Sequence, residues 1–123
     1  MILHTEVTGK GEPIVFLHTG LQTGKTELGV QKEYFKSNFQ VILPDLRGHG
    51  KSVSDNITNY FNNSAKDLAE TLEKLGIQSA HIVGCSLGAL VGLVFAKTHP
   101  ENVKSLTLSG IIPKKPVEWE EMV

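Results

Sequence analysis

Short apolar runs alternate with segments of helical character along this chain, and that alternation limits the fold more than any other feature. Short apolar runs predict strands at residues 13–18, 39–44, 80–84 and 103–109, with a further strand at 1–7. Two of them lack polar alternation, at residues 14–17 and 82–83, which predicts burial on both faces. The segments between these runs predict helices, at residues 25–37, from residue 64 onward and at 87–97. Strands that alternate with helices form a parallel sheet covered on both faces. The sequence therefore predicts an α/β fold, a three-layer sandwich with a mostly parallel sheet flanked by helices.

The segment from residue 64 carries the clearest helix-end signals. Ser64 and Asp67 match a capping box, in which side-chain oxygens accept hydrogen bonds from N–H groups of the first turn. The apolar stripe that follows consists of Leu68, Leu72 and Leu75. Because Gly76 suits a helix C-terminus, we expect this helix to begin at Ser64 and to end before Gly76.

Charge and cysteine content exclude several classes of protein. The chain has 12 Lys and Arg against 13 Asp and Glu, a net charge of −1, so we expect no nucleic-acid and no membrane partner. A single cysteine excludes an internal disulfide framework and a cysteine-based zinc site, and we expect neither a metal nor a cofactor. The first residues lack an export signal, and no apolar run approaches the roughly 18 residues of a membrane span. These features predict a cytoplasmic protein.

The motif G-x-S-x-G at residues 84–88 carries the strongest chemical signal, because a predicted strand precedes it and a predicted helix follows. A sharp strand-to-helix turn strains its central residue and crowds the residues two before and two after, which must then be small. This context favours a nucleophile elbow over an ordinary turn, with Ser86 as nucleophile and the N–H of Leu87 as an oxyanion donor. Cys85 occupies the variable position, where we expect a packing role.

Four further segments, in order, resemble the α/β-hydrolase superfamily. These are FLHTG at 16–20, DLRGHGKS at 45–52, LGI at 75–77 and HPENV at 99–103. The resemblance covers residues 1–112. It implies that Gly20 or Leu21 supplies the second oxyanion donor opposite Leu87, with the additional Thr19 leaving the choice between them open. Ser rather than Asp at position 86 argues against relatives that open epoxides or displace halide.

A phosphate-binding loop is the competing interpretation of residues 16–28, because Gly-Lys-Thr at 24–26 follows a predicted strand. That motif needs four residues between its first glycine and Gly-Lys-Thr. The required position holds Thr19, and Gly20 comes one residue too late. We therefore expect this loop to supply backbone N–H groups and no nucleotide to bind.

The histidine and carboxylate of a catalytic triad are the missing parts. In α/β hydrolases they follow the serine in the order acid, then histidine. His99 is the only histidine among the 37 residues after Ser86, and we expect it at the far end of the helix that follows Ser86. His18 and His49 fall on loops near the sheet's carboxyl edge, where local hydrogen bonds are their expected role, and His4 and His81 receive structural interpretations.

We therefore interpret residues 1–112 as the N-terminal part of an α/β-hydrolase core and 113–123 as the start of a truncated cap or lid. The resemblance implies a serine hydrolase that acts on a small-molecule carboxylic ester or related acyl substrate through an acyl-enzyme on Ser86. The 123-residue chain alone is expected to be nearly inactive. The alternative is a non-catalytic binding or assembly module that forms a homodimer or larger homo-oligomer through the exposed edge strand 103–109.

Overall fold

A twisted β-sheet organises the part of the chain that this computed structural model describes, residues 1–18, 35–54 and 59–109. Its strands, in chain order, are β1 (Thr5–Thr8), β2 (Glu12–Leu17), β3 (Phe39–Pro44), β4 (Ala80–Cys85) and β5 (Val103–Ser109). The spatial order is β1-β3-β2-β4-β5; β1 is antiparallel to β3, and the other neighbours are parallel. The predicted α/β class with a mostly parallel sheet is confirmed.

Two α-helices and one short helix accompany these strands in the described residues. They are α1 (Tyr60–Lys74), α2 (Leu87–Thr98) and a 3₁₀ helix (Pro100–Asn102). Because α2 follows β4 directly, its N-terminus lies at the carboxyl edge of the parallel strands. That edge is where ligands bind in open α/β sheets.

Both faces of β2 are buried, which explains its continuous apolar sequence. Val15 and Leu17 face the main core together with residues of α1 and α2, whereas Ile14 and Phe16 face a second cluster with residues of β3. Each of these four side chains is at most 7% exposed. A strand covered on both sides gains apolar burial at every residue, so polar alternation is absent.

The prediction that α1 begins at Ser64 is wrong. The helix begins at Tyr60, after an Asn59 cap with left-handed backbone angles and no side-chain cap bond. Ser64 and Asp67 instead lie inside the helix, 0% and 1% exposed, and the Asp67 carboxylate accepts hydrogen bonds from Arg47. The predicted end is confirmed: Gly76 has φ +74°, and the N–H of Ile77 bonds to the carbonyl of Leu72.

Several predictions fall outside the described residues. The helix expected at 25–37 is described only from residue 35, and Gly20, Leu21 and the expected cap segment at 113–123 are not described. Among the residues that are described, no helix has the length and apolar character needed to cross a membrane.

Candidate active site

Ser86 occupies the turn between β4 and α2 with a backbone conformation that residues other than glycine rarely adopt. Its φ is +54° and its ψ is −111°, and the residue is exposed. A non-glycine residue in this region is strained and persists only when the surrounding structure fixes it. Here the backbone N–H of Ser86 donates a hydrogen bond to the carbonyl of Ser109 at 3.0 Å. The carbonyl of Ser86 accepts hydrogen bonds from the first turn of α2.

The two glycines of the motif are required by close backbone contacts. A Cβ on Gly84 would lie 2.5 Å from the carbonyl oxygen of Gly88, and a Cβ on Gly88 would lie 2.2 Å from that of Leu17. Since these neighbours are backbone atoms, they cannot move aside as a side chain could. The crowding expected from the sequence is therefore present on both sides of Ser86.

Among the described residues, three of the first four backbone N–H groups of α2 donate hydrogen bonds to backbone carbonyls. The N–H of Gly88 bonds to the carbonyl of His18 at 3.0 Å, and those of Ala89 and Leu90 bond to the carbonyl of Ser86. Leu87 is the first helical residue, so its N–H has no acceptor within the helix. This arrangement leaves the N–H of Leu87 as the donor next to the exposed serine.

His18 lies directly after β2 and is completely buried. Its Nε2 accepts a hydrogen bond from the backbone N–H of Leu46 at 2.9 Å. Its ring meets that of His49 edge to face, with 5.2 Å between centroids. The ring is therefore held by a hydrogen bond to the loop after β3.

His49 and Tyr60 converge on one carbonyl oxygen. The Nδ1 of His49 lies 3.0 Å from the carbonyl oxygen of Arg47, and the hydroxyl of Tyr60 donates to the same oxygen at 2.7 Å. Burial raises the pKa of Tyr60, so the phenol stays protonated and continues to donate. Because a carbonyl can only accept, His49 must carry its proton on Nδ1 to form this bond.

A buried ion pair fixes the loop after β3 to α1, and the sequence analysis did not find it. Arg47 donates from Nε and Nη2 to the two carboxylate oxygens of Asp67, at 2.7 and 2.9 Å, and the amine of Met1 lies 2.7 Å from the same carboxylate. The hydrogen bond to Asp67 raises the pKa of Arg47. The one available signal was an aspartate among core-facing positions of α1, which the capping-box interpretation explained differently.

The remaining histidines lie away from Ser86. His99 stacks on Phe95 at the C-terminal end of α2, about 18 Å from the helix start at 1.5 Å per residue. His81 lies on β4 at the amino end of the sheet, and His4 precedes β1, which is three strands away from β4 in the sheet. All five histidines are in the described ranges, and none of them hydrogen-bonds the Ser86 hydroxyl there.

His81 belongs to a polar cluster on the surface. Its Nδ1 lies 2.7 Å from the Ser105 hydroxyl and its Nε2 3.4 Å from a carboxylate oxygen of Glu12. Lys104 donates to the other oxygen of Glu12 at 3.0 Å, and this hydrogen bond, followed by that from His81, lowers the pKa of Glu12. Glu12 is 60% exposed, so water screens the cluster.

Cys85 and the other ligating side chains give no sign of a metal centre in the described ranges. Cys85 is half-buried, and its Sγ accepts a weak bond from the Ser109 hydroxyl at 3.5 Å. No group of three or more His, Cys, Asp or Glu side chains converges on one point in this part of the chain.

Known proteins resemble this chain over most of its length. The family model for the alpha/beta hydrolase fold matches residues 12–123. An uncharacterized hydrolase of Bacillus subtilis is 32% identical over 95% of this chain, and a proline iminopeptidase of Xylella fastidiosa is 33% identical over 89%. Among solved structures, a thermophilic esterase from Thermogutta terrifontis superposes with a TM-score of 0.81 and 31% identity over 97% of this chain.

The same matches cover a minor part of each relative. The chain spans 39% of the Bacillus hydrolase, 35% of the iminopeptidase and 44% of the esterase. The chain thus corresponds to less than half the length of each of these proteins.

Proposed function

The chain belongs to the alpha/beta hydrolase fold family, and we propose that Ser86 is the nucleophile of a serine hydrolase that acts on a carboxylic ester or related acyl substrate. The observation that carries this proposal is the exposed, strained backbone of Ser86 between two glycines that backbone contacts require. Backbone strain of this kind costs about 1–3 kcal/mol and is concentrated at functional sites, whereas an ordinary turn adopts unstrained backbone angles. The esterase and iminopeptidase names of two relatives also favour a carbonyl carbon as the reacting centre.

The proposed reaction proceeds through an acyl-enzyme. The Ser86 oxygen forms a bond to the substrate carbonyl carbon, and the carbonyl oxygen takes the negative charge while the serine proton goes to a base. The leaving alcohol departs with a proton, and water then releases the acid from the serine. The N–H of Leu87 supports the oxyanion, and Gly20 or Leu21 is the proposed source of the second donor.

We propose that none of the described histidines serves as the base for Ser86. His99 lies at the opposite end of α2, and the Nε2 of buried His18 is already engaged by Leu46. Without a histidine, the serine attacks only as its rare alkoxide, so we propose that the triad acid and base belong to a part of the complete enzyme beyond these residues. Loss of the histidine from a comparable triad lowers turnover by about 10⁶.

A fluorophosphonate probe tests the nucleophile and the missing base together. We expect the chain to be labelled slowly at Ser86, with a rate that rises by about tenfold per pH unit between pH 7 and 9, because alkoxide is the reacting form. Ser86→Ala abolishes the labelling, whereas Cys85→Ala, the matched control one residue away, leaves it unchanged.

Two results would contradict parts of the proposal separately. Labelling that persists in Ser86→Ala removes the nucleophile assignment. A rate that levels off near neutral pH, together with rapid ester hydrolysis, shows that a base is present after all.

The second candidate function is an assembly module that pairs through β5. Among the described strands, β5 is bonded on one side alone, by β4. Val103, Leu106 and Leu108 are half-buried, while Lys104 on the same strand is exposed, and a lysine opposes edge-to-edge pairing. Light scattering after size-exclusion chromatography tests this candidate, since a monomer that persists at millimolar concentration contradicts it.

A further inference from the structure

His18 is the residue at which three parts of the carboxyl edge meet. It follows β2 directly, its ring binds the loop after β3 through Leu46, and its backbone carbonyl binds the first turn of α2 through Gly88. The side chain is 0% exposed, and so is Leu46. Both bonds are therefore shielded from water, which could otherwise replace a lost partner.

The ring bond requires one protonation state. A nitrogen that accepts from a backbone N–H carries no proton, so the imidazole is neutral and its proton resides on Nδ1. The other tautomer or a protonated ring would direct an N–H at the N–H of Leu46 and leave a buried donor without an acceptor. The same occupied lone pair prevents Nε2 from serving as a general base.

The carbonyl bond decides which helix N–H remains available next to Ser86. The N–H groups of Leu87 and Gly88 are consecutive at the start of α2, and an oxyanion could approach either one. The carbonyl of His18 engages that of Gly88 at 3.0 Å, and the absence of a Cβ on Gly88 permits this close approach. The N–H of Leu87 therefore remains as the helix donor next to Ser86.

We infer that His18 is a positioning residue, a neutral imidazole whose ring and carbonyl hold the loop after β3 and the first turn of α2 in fixed register. The inference rests on the proposed function, because the register of the Leu87 donor matters for chemistry only if Ser86 reacts. It assigns His18 a defined tautomer and two defined partners, and these can be measured without any reaction.

A pair of variants separates the acceptor from the volume of the ring. In His18→Gln the amide oxygen can take the place of Nε2, whereas His18→Leu keeps a similar volume without an acceptor. His99→Gln, at the far end of α2, is the control for loss of a histidine in general. Three readouts are used: the ring tautomer from ¹H–¹⁵N NMR, the exchange rate of the Leu46 amide proton, and the rate of fluorophosphonate labelling at Ser86.

We expect the wild-type ring to carry its proton on Nδ1 between pH 6 and 8. His18→Leu speeds Leu46 exchange and slows labelling, each by about tenfold, while His18→Gln stays within about threefold of wild type in both. His99→Gln leaves both rates unchanged.

The inference is overturned if the proton resides on Nε2, or if the glutamine variant recovers no more than the leucine variant. If the wild type is not labelled at all, the proposed function fails, and the tautomer and Leu46 exchange still decide the role of His18. If His18→Leu does not fold, the wild-type tautomer and the glutamine variant give the answer.

Discussion

The amino and carboxyl edges of the sheet each carry a serine, and the two serines differ in their backbone conformation. At the amino edge, His81 lies between the Ser105 hydroxyl at 2.7 Å and the Glu12 carboxylate at 3.4 Å, which is the composition of a catalytic triad. At the carboxyl edge, Ser86 has no such neighbours among the described residues, yet its backbone is strained and the side chain is exposed.

The backbone around each serine accounts for the difference. Ser105 lies inside β5 opposite His81, in a strand that pairs with β4, and it does not precede a helix. Ser86 immediately precedes a helix, and the N–H of Leu87 beside it has no backbone acceptor in the part of the chain that the structure describes. Stabilising a developing oxyanion needs fixed donors at the reacting atom, and side-chain composition alone does not provide them. The backbone of Ser86 therefore distinguishes it from Ser105 more clearly than the neighbouring side chains do.

Peptide mapping after fluorophosphonate treatment tests which of the two serines reacts, and we expect the largest effect here. We expect the adduct on Ser86 alone, since donor geometry and binding retain up to about 10³-fold over water without a base. Ser105→Ala and His81→Gln should leave the labelling rate unchanged. An adduct on Ser105 would show that the amino-edge cluster is reactive and that the comparison is wrong.

The second largest effect is expected in the free energy of unfolding, when a buried and an exposed ion pair are each removed. Asp67 is 1% exposed and holds Arg47 by two hydrogen bonds, so Asp67→Asn leaves a shielded guanidinium without its counter-charge. We expect a loss of about 3 kcal/mol in the free energy of unfolding, measured by urea denaturation. Glu12→Gln, at the exposed pair with Lys104, is the matched control and should change stability far less. Equal effects would mean that burial does not distinguish the two pairs.

Two glycines of α2 test whether the elbow depends on backbone crowding. Gly88→Ala places a Cβ 2.2 Å from the Leu17 carbonyl oxygen, and we expect a loss of about 2 kcal/mol from overpacking. In Gly92→Ala the new Cβ has its nearest contact at 3.4 Å, with a side-chain methyl of Ile82, and alanine favours the helix by about 1 kcal/mol. We therefore expect Gly92→Ala to be neutral or stabilising in thermal denaturation. A similar loss in both variants would show that any added side chain harms this helix.

The elbow could be predicted from the sequence because its causes are local. A strand, the five residues 84–88 with glycine at the first and fifth positions, and a helix are enough to specify the bend. The parallel sheet was predictable for a related reason, since strands such as β2 are apolar at successive positions when both faces are covered.

The polar contacts of the carboxyl edge could not be predicted in the same way. Whether Asp67 caps a helix or binds Arg47 depends on where the loop after β3 packs, and spacing along the chain does not encode that. The partners of His18 likewise come from residues 46 and 88, far away in sequence. The prediction of a cap at Ser64 failed for this reason: the pattern of residue types is local, whereas the contacts that use the Asp67 carboxylate are tertiary.

The smallest effect is expected in the pH dependence of stability, when wild type is compared with Glu12→Gln. The direction of this effect follows from the pKa of Glu12. The hydrogen bond from Lys104, followed by that from His81, lowers this pKa, so the folded state binds the proton of Glu12 less readily than the unfolded state. The stabilisation is therefore complete above the unfolded pKa of the carboxyl group and is lost as pH falls through the lower folded pKa. In urea denaturation from pH 6 to pH 3, the small difference between wild type and Glu12→Gln should shrink toward zero, whereas Glu101→Gln, at an exposed carboxylate of the 3₁₀ helix, controls for loss of charge. A difference that grows on acidification would mean that the Glu12 carboxylate opposes folding, and the amino-edge cluster would then be something other than a weakly stabilising surface network.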